Sequence, residues 1–148
     1  MDEKGDAHLK AEKMRKIIID TNFWLLPFER KIDLFAQLDR LLEEPYEVIV
    51  PQAVLDELKY MTRMKNKRAV AARGALRVIE SKIGKKEGMP PFISLSSEKG
   101  RADGAIITTA LQNEGCVVAT NDYVLRKRLR EKKIRSITLL DGNKIGFV

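Results

Sequence analysis

The chain has 148 residues, 44% of them hydrophobic, and a formal net charge of +7. That length and apolar content suit one folded domain rather than a disordered chain, and the charge favours a polyanionic partner, of which nucleic acid is the commonest. A single histidine (His8) and a single cysteine (Cys116) cannot build a structural zinc site or an internal disulfide, and they argue against a Ser-His-Asp or Cys-His nucleophile.

Residues 1–15 are polar, charged and without period, and read as an N-terminal extension to a single domain over 16–148. They lack the apolar core of a signal peptide, and no later apolar run is long enough to span a membrane, so a cytoplasmic protein is expected. Lys16 to Asp20 is an unbroken apolar run ending on an acid, the pattern of a strand buried on both faces. Leu34, Leu38, Leu41 and Leu42 predict a helix over Arg30–Glu43. Tyr46–Val50 is a second strand, and Pro51 is expected at the first position of a helix reaching Met64. A basic connection, Lys65–Arg68, leads to another helix ending near Gly84. Phe92–Leu95 is a third strand, followed by a helix through Ala102, Ala105, Ile106, Thr109 and Ala110 that ends at Gly115. Cys116–Ala119 is a fourth strand, Asp122–Glu131 a helix and Ser136–Leu140 a fifth strand. Asp141-Gly142 signals a turn before a short edge strand in Lys144–Val148. Alternating strands and helices predict an α/β domain with a mostly parallel sheet. No Gly-rich phosphate loop follows any strand, so the chemistry falls to carboxylates, hydroxyls and amides.

Ligands of open α/β sheets bind beyond the carboxyl ends of the strands. Four acids fall there: Asp20 at the end of strand one, Glu57 in the second turn of the helix after strand two, Asp103 early in the helix after strand three, and Asp122 just after strand four. Val54, Leu58 and Met61 define the buried stripe of the second helix; Glu57 flanks that stripe, whereas neighbouring Asp56 points away from it. Each acid also has a structural reading, as a strand-end turn residue, a partner of a helix dipole, a cap or a solvated surface group. Asp122 in particular could follow a cap at Asn121 or Thr120. Clustered carboxylates repel, and a hard divalent cation with oxygen ligands, Mg²⁺ or Mn²⁺, is the usual compensation.

These strings resemble the four motifs of PIN domains: Ile17-Ile18-Ile19-Asp20-Thr21-Asn22, Val50 to Leu58, Arg101-Ala102-Asp103-Gly104-Ala105-Ile106, and Val118-Ala119-Thr120-Asn121-Asp122 with Leu125. The similarity runs from about Arg15 to Phe147 and is greatest to the archaeal and eukaryotic branch linked to ribosomal RNA processing. It implies a PIN-like, Rossmann-like three-layer sandwich with about five parallel strands. It also implies an endoribonuclease that holds Mg²⁺ or Mn²⁺ on Asp20, Glu57, Asp103 and Asp122 and hydrolyses phosphodiesters by metal-activated water. Ribosomal precursor RNA, pre-ribosomal assembly partners and a homodimer are the partners it suggests. Many members of that branch carry a second acid where this chain has Gly104. That departure keeps open a catalytically weak RNA-binding or assembly factor, and the VapC-like toxins, which share the same acids, are a third reading.

Thr21, Asn22, Thr120 and Asn121 adjoin two of the acids and are candidates to hold a carboxylate or water in place, with β-propensity and capping as the competing reading. Phe23 and Trp24 suit either the core or stacking on bases. Two basic stretches are candidate RNA contacts: Lys59, Arg63, Lys65, Lys67 and Arg68, and then Arg126, Lys127, Arg128 and Arg130.

Overall fold

The computed structural model describes residues 14–85, 87–88 and 90–148. Most of the expected extension, with His8, lies outside the described residues, and Arg15 belongs to the first strand instead. In chain order the elements are β1 (Arg15–Ile19), α1 (Thr21–Trp24), α2 (Leu26–Glu29), α3 (Leu34–Leu42), β2 (Tyr46–Pro51), α4 (Gln52–Met61), α5 (Lys67–Lys82), β3 (Phe92–Ser96), α6 (Ala102–Gln112), β4 (Val117–Ala119), α7 (Tyr123–Glu131), β5 (Arg135–Leu139) and β6 (Ile145–Phe147).

The strands form one sheet of six in the order β3-β2-β1-β4-β5-β6. All neighbours are parallel except β5 and β6, which pair antiparallel at the edge. β1 is central, with Ile17 beside Val48 of β2 on one side and Val117 of β4 on the other. Ile17, Ile18 and Ile19 are all fully buried, which explains why this strand shows no alternation: both of its faces are covered. After β1 the chain winds outward through β2 and β3, then crosses to the other side of β1 to make β4. The strand order therefore reverses between β1 and β4, and the crevice beyond their carboxyl ends is the switch point of the sheet.

Where the structure departs from the sequence expectation, local chemistry explains it. α3 starts at Leu34, four residues later than its leucine spacing suggests, because the Asp33 carboxylate accepts the Ala36 N–H at 3.1 Å and caps the helix there. Glu43 closes the helix in the left-handed conformation, at φ 56°. Pro51 is the last residue of β2 and precedes the first turn of α4, at φ −63° and ψ 142°, rather than lying inside the helix. α1 and α2 are too short to produce a period, yet they carry Phe23, Trp24, Leu25 and Leu26 into the core.

α5 packs through small residues: Ala69, Ala71, Ala72 and Ala75 are buried. Gly74 has a packing reason, since a Cβ there would lie 2.6 Å from the Phe28 ring, closer than atoms can approach. No helix among the described residues is long and apolar enough to cross a membrane.

The site depends on β1 being held firmly. Ile18→Ala removes a fully buried side chain at the sheet centre and is expected to cost about 2–5 kcal/mol, read as a lower urea midpoint.

Candidate active site

Asp20 leaves the end of β1 and is buried, at 8% exposure. One carboxylate oxygen accepts the Thr21 N–H at 2.8 Å, which caps α1, and the other accepts the Thr120 hydroxyl at 2.7 Å. Thr120, fully buried beyond β4, also accepts the Asp122 N–H at 3.0 Å. One hydroxyl thus joins the acid after β1 to the acid after β4, across the switch point. Asp122 is itself the cap of α7, accepting the Leu125 N–H at 3.1 Å, so neither Asn121 nor Thr120 caps that helix. Asp103 sits half-buried in the first turn of α6. Glu57 and Asp56 are both exposed on α4; Asp56 accepts the Gln52 carboxamide at 2.7 Å, whereas Glu57 lies near enough to Asp20 and Asp103 to feel their charge.

Asp20 and Glu57 feel the charges of neighbouring acids. Burial pushes the Asp20 carboxyl above the usual carboxylate range; its bonds from Thr120 and Thr21 pull it down, and the charges of Asp103 and Asp122 push it further up. Partial desolvation also raises Glu57, with the charges of Asp20 and Asp103 adding to it, while Thr21 and the Arg68 guanidinium lower it. The buried Thr21 hydroxyl makes no hydrogen bond of normal geometry, although it lies close enough to act on Glu57. Among the described residues, no three acids are gathered tightly enough to enclose an ion by themselves.

An all-oxygen set with excess negative charge and an unpartnered buried hydroxyl fits a hard cation. Its openness suits one that keeps most of its waters and uses few protein ligands, as Mg²⁺ does. A thiol ligand is not on offer there, because Cys116 precedes β4, at the opposite end of the strand from the crevice.

The other candidates divide. Asn22 accepts a hydrogen bond from Arg68, bringing that cation to the rim near Glu57. Asn121 turns instead toward β5, where its carbonyl oxygen accepts the Thr138 hydroxyl and the Leu139 N–H, both at 2.9 Å. Arg126 is half-buried and donates to the same Thr138 at 2.8 Å, so it is less available to RNA than the exposed Lys127, Arg128 and Arg130. Lys59, Arg63, Lys65 and Lys67 are exposed along the end of α4 and the start of α5. Phe23 and Trp24, at 1% and 2% exposure, belong to the core; Trp24 meets Phe35 edge-on at 6.0 Å. Sequence reasoning missed Thr138, whose pairing with Asn121 depends on β4 and β5 being neighbours.

A PIN-like domain family model matches residues 17–141. The chain belongs to the PIN-like domain family. Ribonuclease VapC4 of Methanocaldococcus jannaschii is 30% identical over 124 residues, covering 82% of this chain and 87% of that protein. The rRNA-processing protein fcf1 of Schizosaccharomyces pombe is 34% identical over 125 residues, covering 84% of this chain but only 57% of the yeast protein. Among solved structures, the PIN domain endonuclease Utp24 matches with a TM-score of 0.67 and 27% identity, over 89% of this chain and 90% of that one. A domain of a functionally unknown M. jannaschii protein matches with a TM-score of 0.64 at 17% identity, over 86% and 93% of the two chains; this second likeness bears on the fold alone. The PIN resemblance and the mostly parallel α/β sandwich thus hold, with a sixth, antiparallel strand at the edge.

Thr120→Val removes the bond to Asp20 and leaves the Asp122 N–H without its acceptor. It is expected to cost about 1–3 kcal/mol in urea unfolding, and to raise the Asp20 pKa further, so that the acid limb of any activity profile moves to higher pH.

Because Asp20 and Glu57 are raised in the fold, their contribution to stability is fully present below the ordinary carboxylate pKa and is lost as pH rises through the raised values. Asp103→Asn removes a charge that pushes both upward. Without divalent ions it should therefore raise the thermal midpoint at pH 8, by about 2–4 °C for 1 kcal/mol, and do less at pH 4.

Proposed function

We propose that this PIN-family chain is a divalent-metal-dependent endoribonuclease, and that Mg²⁺ or Mn²⁺ is held by Asp20, Asp103 and Asp122 together with Glu57. The observation that carries the reading is that the four acids follow the carboxyl ends of four parallel strands, with the ionisation of Asp20 opposed by its burial and then by the charges of Asp103 and Asp122. The bound cation would lower the pKa of a water and neutralise charge developing on the phosphate.

The chain's own residues do the rest. Thr120 fixes Asp20 and the start of α7 relative to each other, which sets the spacing of two ligands. Glu57, less enclosed and raised above the usual carboxylate range, would either join the ligands or orient the attacking water. Arg68, docked on Asn22, supplies positive charge at the same rim. Lys59, Arg63, Lys65 and Lys67 on one side, and Lys127, Arg128 and Arg130 on the other, hold the RNA backbone without reading its sequence. The expected products carry a 5′-phosphate and a 3′-hydroxyl.

Likeness to the rRNA-processing protein fcf1 supports ribosomal precursor RNA as the substrate, with pre-ribosomal proteins as partners, and likeness to the PIN domain endonuclease Utp24 supports internal cleavage. Likeness to Ribonuclease VapC4 supports the toxin reading, which growth arrest on expression, relieved by a cognate partner protein, would identify. The assembly-factor reading is favoured by Gly104: a Cβ there meets nothing within 4 Å, so packing does not require glycine at a position where an acid would add a ligand. A gain in cleavage by Gly104→Asp would mark the natural chain as catalytically weak.

The deciding experiment incubates labelled single-stranded and structured RNA with the protein and with Asp20→Asn, in Mn²⁺, Mg²⁺ or EDTA. Cleavage that needs metal and is lost in the variant is expected; uncut RNA bound equally by both proteins, or cyclic-phosphate ends formed in EDTA, would defeat the nuclease reading. RNA affinity should also fall steeply as salt is raised from about 50 to 200 mM, measured by fluorescence anisotropy.

A further inference from the structure

Tyr123 is the first residue of α7, directly after Asp122, and at 67% exposure it is the most exposed of the large apolar and aromatic side chains described. It has no part in packing its helix, which Leu125 and Leu129 do. Yet its position is defined. The Arg126 guanidinium, one turn along, lies over the ring, 5.9 Å from its centroid. Arg126 is in turn tied down by its 2.8 Å bond to Thr138, whose hydroxyl donates to Asn121 at 2.9 Å. Asn121 also accepts the Leu139 N–H. A chain of bonds thus runs from β5 to the residue just before Asp122 and holds a cationic plane against one side of the ring. The ring is otherwise exposed, on the residue that directly follows Asp122.

An aromatic ring exposed to water, backed by a fixed cation and next to an acid of the crevice, is the arrangement that receives an unpaired nucleobase. We propose that Tyr123, backed by Arg126, is a stacking platform for a base of single-stranded RNA flanking the phosphate that enters the crevice. The proposal rests on the reading that the crevice takes RNA. It gives Arg126 a role different from phosphate contact: it holds the platform. It also predicts tolerance of base identity, because every base presents a π-face, together with a requirement that this nucleotide be unpaired.

The test measures binding and cleavage separately. Binding of a fluorescein-labelled single-stranded RNA of about ten nucleotides is measured with Asp20→Asn protein, alone and combined with Tyr123→Ala or Tyr123→Phe, and with RNAs carrying one abasic residue at successive positions. Tyr123→Ala should weaken binding about tenfold, Tyr123→Phe should not, and the thermal midpoint should be unchanged. One abasic position should cause a similar loss in Asp20→Asn and no further loss once Tyr123→Ala is present.

Unchanged binding in Tyr123→Ala, or an equal loss in Tyr123→Phe, overturns the platform whether or not the wild-type protein cuts RNA. Tyrosine-dependent binding with no cleavage by the wild-type protein overturns the nuclease reading and leaves the platform standing. Absence of RNA binding overturns both.

Discussion

The crevice is organised around one hydrogen bond, from the Thr120 hydroxyl to the Asp20 carboxylate. Asp20 directly follows β1, which is paired on both sides and ends in three fully buried isoleucines, so its carboxylate is placed by the core rather than by a long loop. An isolated buried carboxylate would protonate or draw in water. Here two donors, the Thr120 hydroxyl and the Thr21 N–H, favour the charged form, while burial and two neighbouring acids oppose it. Burial outweighs the two donors, so the carboxyl lies above the usual carboxylate range. Strain of this electrostatic kind is a common cost of a functional site.

Two of the acids also serve the fold. Asp20 and Asp122 cap α1 and α7, so their carboxylates interact with free helix N–H groups. Capping offsets part of the repulsion, because negative charge is favoured at a helix N-terminus. It also fixes each carboxylate through a second contact. Asp103 and Glu57 cap no helix, and Glu57, exposed at the rim, feels both Thr21 and Arg68.

The basic side chains are held with different degrees of restraint. Arg68 and Arg126 are anchored, on Asn22 and on Thr138 respectively, whereas Lys59, Lys65, Lys67, Lys127 and Arg128 project into solvent. Free cations suit backbone phosphates, which need charge more than geometry. Anchored ones suit fixed partners: Glu57 for Arg68, and the ring of Tyr123 for Arg126.

Sequence alone determined the alternation of strands and helices, the central strand from its unbroken isoleucines, and the placement of Asp20, Glu57, Asp103 and Asp122 on one edge of the sheet. These follow from periodicity and from the direction of parallel strands, both written locally. Helical geometry likewise favours Glu57 over Asp56 beside the buried stripe, and Glu57 is shifted by its partial burial and then by the charges of Asp20 and Asp103. Other features needed the tertiary structure. The late start of α3 depended on one capping side chain, and α1 and α2 were too short to show a period. Phe23 and Trp24 could be assigned to the core only once the covering elements were in place. The Thr120 bond to Asp20 and the link from Asn121 through Thr138 to Arg126 join residues on different strands. No local pattern encodes them, because they exist only when β4 lies between β1 and β5.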